Sequence, residues 1–589
     1  MGIVDSTATG NSPLVVGVSG HMDLDPGDIP GLRNAIATFL EELKRHLPET
    51  DIHIIVGMAE GADLLVAQTA LDLGIRVEAV LPMPLERYAA DFDDDTLVLL
   101  KSLLARPDVR CTELRPPVHP GRGTHGDAVH RDSMYANLTE TLIRRSSLLL
   151  ALWDGQSLPL PGGTADTVLR FLGIRTDANI STDSIILVDT AEDTDTTERL
   201  VYWIPAVRSS GASSAGDRQP CFLRCVGDNT LLMQRVMPAS LAFQLNGLNR
   251  YNREYRELVS AGRLGSTESL LATLPPDAPL HDQMMLADID AQYVKADSLA
   301  IHYQRRSDLL FRLFGVMTFT MGVAYLIYEQ LTETKLLLIA YLFILLGGLA
   351  IYYILRGRHW FAKHLTYRAL AETMRAKFYL RLAGVDHRVD STEVLALSGI
   401  DRFHGFGWIS FVLAGVEVPD VRAETGHDPD LRRTHFVEQQ WIESQHRYFT
   451  VKVAKLERSS HRLKLLRNTL FAVILSVITT LFLFGDAMGG DELHPGINLR
   501  HMLTFAMGFF AVLLGVWELH QDKMATRELL WQYRNQLVHF ARAKLELLRF
   551  STPSRRNEVF VGLGKDSLME SYLWTIHRYH REHEPPTAG

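Results

Sequence analysis

V-G-M-A-E-G-A-D-L-L-V-A-Q-T-A-L-D-L-G-I-R-V-E-A-V-L, from Val56 to Leu81, decides the fold of the first part of this chain. It begins where the apolar run Ile52 to Val56 ends, turns through Gly57 and Gly61, and then places apolar residues at helical spacing as far as Leu73. Gly74 closes that helix, and Val77 to Leu81 is short and mostly apolar, as a parallel strand covered on both faces is. The stretch predicts strand, glycine turn, helix, strand. A glycine turn at the carboxyl end of such a strand leaves N–H groups of the next helix unpaired, and with the helix dipole these favour an anion such as phosphate.

The flanking sequence repeats the plan. Leu14 to Val18 is a buried strand that runs into G-V-S-G-H-M-D-L at Gly17 to Leu24, where Gly20 allows a ligand to approach the backbone closely, and Pro30 starts a helix reaching about His46. Leu148 to Leu152 is another apolar strand. It opens into W-D-G-Q at Trp153 to Gln156 and then P-G-G-T-A-D-T at Pro161 to Thr167. Ile185 to Val188 and Val201 to Pro205 read as the last strands. Strands alternating with helices predict an α/β fold, a Rossmann-like, doubly wound and mostly parallel sheet, with its ligand site beyond the carboxyl ends of the strands. All three glycine turns fall on that edge.

Taken in order, G-V-S-G-H-M-D-L, G-M-A-E-G-A-D-L-L-V-A and L-A-L-W-D-G with G-G-T-A-D-T resemble the SLOG superfamily, which contains DNA-processing protein A, the lonely-guy phosphoribohydrolases and the N-terminal sensor of melastatin-type TRP channels. The resemblance implies binding of a nucleotide or nucleotide-derived signal. Gly20, Gly57, Gly61, Asp63, Gly162, Gly163 and Thr164 match its ligand-contacting turns, with His21, Trp153 and Asp154 as neighbours. Each position also has a structural reading. Gly57, Gly61 and Gly162 suit turns that need positive φ, Asp63 suits a helix start, and Trp153 suits a packed aromatic at the rim of a sheet.

Lonely-guy hydrolases carry P-G-G-x-G-T followed by a glutamate that supports cleavage of the N-glycosidic bond. Here the third glycine position is Ala165, the threonine position is Asp166, and Val168 and Leu169 stand where the glutamate is expected. This departure points to a binder, with Asp166 as a partial substitute if hydrolysis occurs. No Walker A motif is present, because G-L-G-K-D at Gly562 to Asp566 has the wrong spacing, and no cofactor or metal site is expected. His119, His125 and His130 read as solvated loop residues, and His577, His580 and His583 as a solvated helical stripe. Cys111, Cys221 and Cys225 make no zinc or disulfide pattern and read as reduced thiols. The net charge of −9, with no basic cluster apart from the membrane flanks, argues against nucleic acid as the partner. The polar start up to Ser12 lacks the pattern of a secretion signal.

The second part predicts a membrane protein. Leu313 to Leu331, Leu336 to Leu355, Leu470 to Phe484 and Met502 to Leu519 are apolar runs able to cross a hydrocarbon core of about 30 Å. Leu286, Ile289, Tyr293, Ala296 and Ala300 mark one face of a helix that continues without a breaker into the first run. Y-R-A-L-A-E-T-M-R-A-K-F-Y at Tyr367 to Tyr379 and Y-R-N-Q-L-V-H-F-A-R-A-K-L at Tyr533 to Leu545 follow the two hairpins, so helix, membrane hairpin, helix occurs twice. Each copy resembles the SLATT module, a two-helix membrane element of bacterial conflict systems, which implies a pore-forming output.

Arg305, Arg306 and Arg312, then Arg356, Arg358, Lys363 and Arg368, flank the first hairpin; Lys464, Arg467, Lys523 and Arg527 flank the second. These basic flanks place both termini in the cytoplasm and Glu333 and Asp491 outside. Gly315 and Gly322 share one helix face, as do Gly508 and Gly515, which permits close helix contacts. The boundaries read as a flexible start at 1–12, a nucleotide-binding domain at 13–247 and a helical unit at 248–390. A connection at 391–428, a second helical unit at 429–550 and a cytoplasmic C-terminal segment at 551–589 follow. The expectation is an oligomeric inner-membrane effector gated by a nucleotide. A membrane-anchored nucleotide N-glycoside hydrolase and a helical membrane scaffold are the alternatives.

Overall fold

The computed structural model describes residues 10–114, 127–156, 162–174, 185–187, 199–210, 219–226, 230–263, 267–275, 280–386, 389, 394–395, 406–416, 431–484, 488, 492–494, 497–523, 526–550 and 552–579. The chain divides into two compact units. The first comprises Met1–Leu264, Ser269–Lys295 and His387–His427, and the second Gly265–Glu268, Ala296–Asp386 and Asp428–Gly589.

In the first unit the order is β1 (Leu14–Gly20), α1 (Ile29–His46), β2 (Ile52–Val56), α2 (Ala62–Asp72), β3 (Arg76–Leu81), α3 (Leu85–Tyr88), α4 (Asp94–Leu104), β4 (Val109–Glu113), α5 (Asp127–Arg145), β5 (Leu148–Trp153), α6 (Thr164–Phe171), β6 (Ile185–Leu187), β7 (Val201–Pro205), β8 (Cys221–Val226), β9 (Thr230–Gln234) and α7 (Ala239–Ser260). The described strands make one nine-stranded sheet ordered β4-β3-β2-β1-β5-β7-β8-β9-β6. Every pairing from β4 across to β7 is parallel, β7-β8-β9 is antiparallel, and β6 adds in parallel to β9. The sheet is thus mixed and mostly parallel, as expected.

Helix α1 shows how the sequence sets local structure. Pro30 stands in its first turn, Lys44, Arg45 and His46 end it where the helix dipole favours cations, and Leu32, Ile36, Phe39, Leu40 and Leu43 form its buried stripe. Phe39 stacks on Tyr202 of β7 with ring centroids 3.9 Å apart. One core gathers Leu149, Ala151, Trp153, Val168, Phe171, Trp203 and Leu223, and another Val15, Ile55, Val80, Leu138 and Leu142. Arg145, ending α5, grips Glu78 of β3 through two bonds of 2.6 and 2.7 Å, and this guanidinium holds the buried carboxyl below its usual range although burial alone raises it.

The sequence ends the sheet at Val201–Pro205, whereas β8 and β9 follow. A boundary near Gly247 also differs from what is seen. Helix α7 continues through Gly247 to Ser260, and a Cβ at Gly247 would stand 2.5 Å from Trp408. Further along the same helix, Asn252 bonds Ser12 O at 2.9 Å and Thr50 Oγ1 at 2.7 Å, so α7 belongs to the first unit.

The helical elements are α8 (Leu280–Gln330), α9 (Lys335–Arg356), α10 (Trp360–Leu382), α11 (Ile409–Gly415), α12 (Leu431–Val437), a π-helical turn at Glu438–Glu443, α13 (Ser444–Phe484), α14 (Leu499–Lys523), α15 (Thr526–Arg549) and α16 (Pro553–Tyr579). Helix α8 runs unbroken for 51 residues, and Leu286, Ile289, Tyr293, Ala296 and Ala300 are all buried, as their spacing predicts. Among the described residues four helical stretches are long and apolar enough to cross a membrane: Gln283–Gln330, Lys335–Arg356, Arg433–Phe484 and Leu499–Leu519. Phe343, Leu346, Phe471, Leu475 and Phe482 on these stretches are exposed, a distribution that suits lipid rather than water. Asp491 lies outside the described residues.

Candidate functional site

The strand order reverses between β1 and β5, and the carboxyl ends of these two strands bring His21 and Asp154 together. His21 N–H donates to Leu152 O at 3.1 Å. The ring Nε2 of His21 lies 3.1 Å from both the backbone N and Oδ1 of Asp154. The Asp154 carboxylate also accepts from Gln156 N at 2.9 Å, so it folds the loop after β5 into a tight turn.

The Val56–Leu81 turn is built differently from the open anion cradle its glycines suggest. Gly61 has φ +78°, and a Cβ there would stand 2.2 Å from Met22 O. Ala62 N–H donates to His21 O at 3.0 Å and Leu64 N–H to Ala59 O at 3.3 Å, so two opening amides of α2 are already taken. The space beside Gly20 is filled in the same way, because a Cβ there would fall 2.3 Å from Ala62 Cβ. Glycine at both positions lets α2 pack directly on the end of β1. Asp63 lies beneath the turn, where Oδ2 accepts from Ala59 N at 3.2 Å, and a Cβ at Gly57 would come within 3.0 Å of that oxygen. Burial pushes the Asp63 carboxyl up to about 7, against the opposing pull of the Ala59 and Gly57 amides. Beside it Tyr88 OH donates to Gly57 O at 3.1 Å, and Met58, a buried non-glycine residue at φ +58°, holds a sparsely populated conformation.

The third glycine turn is the more open one. Gly162, at φ +78°, abuts Tyr135 of α5, and its N–H donates to Asp166 Oδ2 at 3.0 Å. Asp166 therefore closes the turn, and Arg170 lies 3.7 Å from the same oxygen. Gly162, Gly163 and Thr164 are all partly exposed, and the Thr164 and Ala165 N–H groups meet no acceptor among the described residues. Trp153 is 2 % exposed, its Nε1 donates to Gln156 O at 2.9 Å, and its ring packs against Trp203 at 5.9 Å. It stands as a core aromatic under the rim.

Residues that the sequence did not single out surround this edge. Arg208, after β7, binds Asp23 through Nε at 2.9 Å to Oδ1, and Ser210 also donates to Asp23. This zips the loop after β1 to the segment after β7, where Asp25 N–H meets Val207 O at 3.0 Å. Asp91 accepts from Tyr135 OH at 2.8 Å and pairs with Arg131. No spacing rule joins positions so far apart in sequence; D-L at Asp23–Leu24 inside the first motif was the available hint for Asp23. His119 and His125 lie outside the described residues.

The second unit holds a cavity of about 100 Å³ lined by Arg368, Glu372, Trp441, Tyr448, Tyr533 and Trp574. Its charges are matched, with Arg368 on Asp297 at 2.9 Å and Glu372 at 2.5 Å, and Arg375 on Glu372 at 2.7 Å. No protein-family model matches the chain, and no curated protein matches it.

Proposed function

We propose that this chain is a membrane-embedded effector of the SLOG and SLATT type, whose first unit binds a nucleotide or nucleotide-derived anion and thereby gates membrane permeability. The sheet is read as Rossmann-like and doubly wound, with the ligand at the β1–β5 reversal, its phosphate at the start of α6 and His21 and Asp154 beside it. The protein acts as a homo-oligomer in the inner membrane of a bacterial-type cell, with both termini in the cytoplasm and a role in defence. What carries the reading is α8, one helix that starts among residues of the first unit and ends as the first membrane-length run. A ligand-driven shift of its first turns is transmitted along it, provided the ligand binds the open arrangement more tightly than the closed one. No charged residue lies deep in the apolar runs, so the opening discriminates weakly between ions.

The test uses full-length protein in detergent, titrated calorimetrically with a panel of nucleoside phosphates and nucleotide-sugars, and then in liposomes loaded with a small ion. Binding without turnover, followed by leak, is the expected result. Thr164→Glu places a carboxylate at the start of α6 and weakens binding by about tenfold or more. Gly61 is a poor probe, because any side chain there strikes Met22 O whatever the ligand. Leak that is identical with and without a ligand shown to bind removes the gating, and release of free base from a nucleotide favours a hydrolase instead.

A further inference from the structure

Helix α15 carries apolar residues on two sides. Phe540, Ala543 and Leu547 turn inward and are buried, and Phe449 of α13 stacks on Phe540 at 5.8 Å. The opposite side of a helix that faces water is ordinarily polar. Here Trp531, Val538, Leu545 and Leu548 stand on it, 61–74 % exposed. Trp531, Val538 and Leu545 recur every seventh residue, and Ala541 and Leu548 follow three residues after the last two, which is the a and d spacing of a seam between two helices. Arg534 takes the remaining d position, where Glu457 of α13 holds its guanidinium at 2.6 Å. A single polar layer of this kind fixes the register of a seam at some cost in stability.

The stripe stands too far from a bilayer for lipid to cover it. Glu457 meets Arg534, Phe449 meets Phe540, and Glu443, just before α13, meets Lys544 at 3.2 Å, so α13 and α15 run antiparallel side by side. Helix α13 continues unbroken into the apolar run at Leu470. At 1.5 Å per residue Glu457 stands about 20 Å before Leu470, which puts Trp531 about 15 Å and Leu548 about 40 Å beyond the hydrocarbon, past a headgroup layer of about 5–8 Å. What the membrane supplies instead is alignment. Two copies inserted in one bilayer share orientation and depth, so identical helices rising from it stand parallel, and each layer of the stripe meets itself at the same height. We propose that α15 pairs with α15 of a second copy as a short parallel coiled coil, with Trp531, Val538, Leu545 and Leu548 each packed on its own counterpart. A seam of about 26 Å is short for a free dimer, and confinement to one membrane raises the effective concentration that it needs. The pairing rests on the membrane part of the reading above and is independent of the nucleotide.

Full-length protein in liposomes is oxidised with copper phenanthroline. Val538→Cys and Leu545→Cys should each join two copies well above wild type, whose free cysteines set the background, whereas Val98→Cys, at a position 68 % exposed in the first unit, should not. Association is then followed by energy transfer between labelled copies over a range of lipid dilutions. Val538→Glu alone and Val538→Lys alone should each weaken it about tenfold or more, because like charges then face each other across the seam, and a mixture of the two variants should restore it. Misfolding of either variant is not rescued by mixing, so recovery marks a direct contact between the two residues. Cross-linking no greater than wild type at both positions, or a mixture that associates no better than either variant alone, overturns the proposal. Extraction of wild type by alkaline carbonate overturns it together with the membrane reading.

Discussion

Asp63 shows most clearly what burial does to a single residue. Its carboxyl titrates near 7 in the folded chain against an ordinary value of 3.8, so between those values the folded chain holds a proton that the unfolded chain has released. Stability therefore falls as pH rises through that window. Buried His53, pushed down to about 4 by desolvation, has the opposite slope between about 4 and 6.5, because there the unfolded chain binds the proton. The wild-type profile mixes the two, and Asp63→Asn isolates one of them. The amide oxygen still accepts from Ala59 and Gly57, so the variant should match wild type near pH 4 and exceed it at pH 8 by at most about 4 kcal/mol. Melting of the full chain in detergent across pH 4–8 measures this, and parallel profiles for the two proteins would show that Asp63 ionises normally.

At the scale of elements, two of the four glycines on the predicted faces make helix contacts. A Cβ at Gly322 of α8 would stand 2.6 Å from Val512 of α14, and one at Gly508 would stand 2.5 Å from Leu326, while Gly315 and Gly515 meet nothing within 4 Å. Phe319 and Phe509 pack edge to face between the same helices at 5.7 Å. Gly322→Leu and Gly508→Leu should each destabilise the α8–α14 pair by about 1–3 kcal/mol, the usual cost of overpacking. Gly315→Leu and Gly515→Leu should leave it intact. Disulfide trapping between cysteines placed at Met321 and Val512 reads the separation. Loss of trapping in the Gly315 variant but not in the Gly322 variant would assign the contact to the wrong glycine.

For the whole molecule, the testable quantity is topology. Basic residues flank the outer ends of both hairpins, and the short link between α8 and α9 carries Glu333. With Glu333→Cys, an impermeant thiol reagent applied to intact cells should label the link, and Asp566→Cys in α16 should react only after the cells are opened. Labelling of Asp566→Cys in intact cells would invert the orientation and place the first unit outside.

The legible part of this protein is what short-range periodicity encodes. Apolar runs of five residues marked β1, β2, β3, β5 and β7, those of β1, β2 and β5 opening into glycine turns, and the runs in the second part marked the four membrane-length helices, because burial in a sheet or in lipid demands uninterrupted apolar residues. The strands β8 and β9 escaped because Arg224 interrupts Cys221–Val226 and polar residues stand at both ends of Thr230–Gln234; the sequence G-D-N between them, of turn-forming composition, was the usable signal. The glycine positions were also legible, but not what fills the space beside them. That Gly20 and Gly61 admit Ala62 and Met22, that Asp63 turns under its own loop, and that Arg208 closes on Asp23 are contacts between segments brought together only by strand order. Sequence spacing sets which backbone positions can bend; the tertiary structure decides whether the opened space receives a ligand or a neighbouring helix, because that depends on close packing between distant parts of the chain.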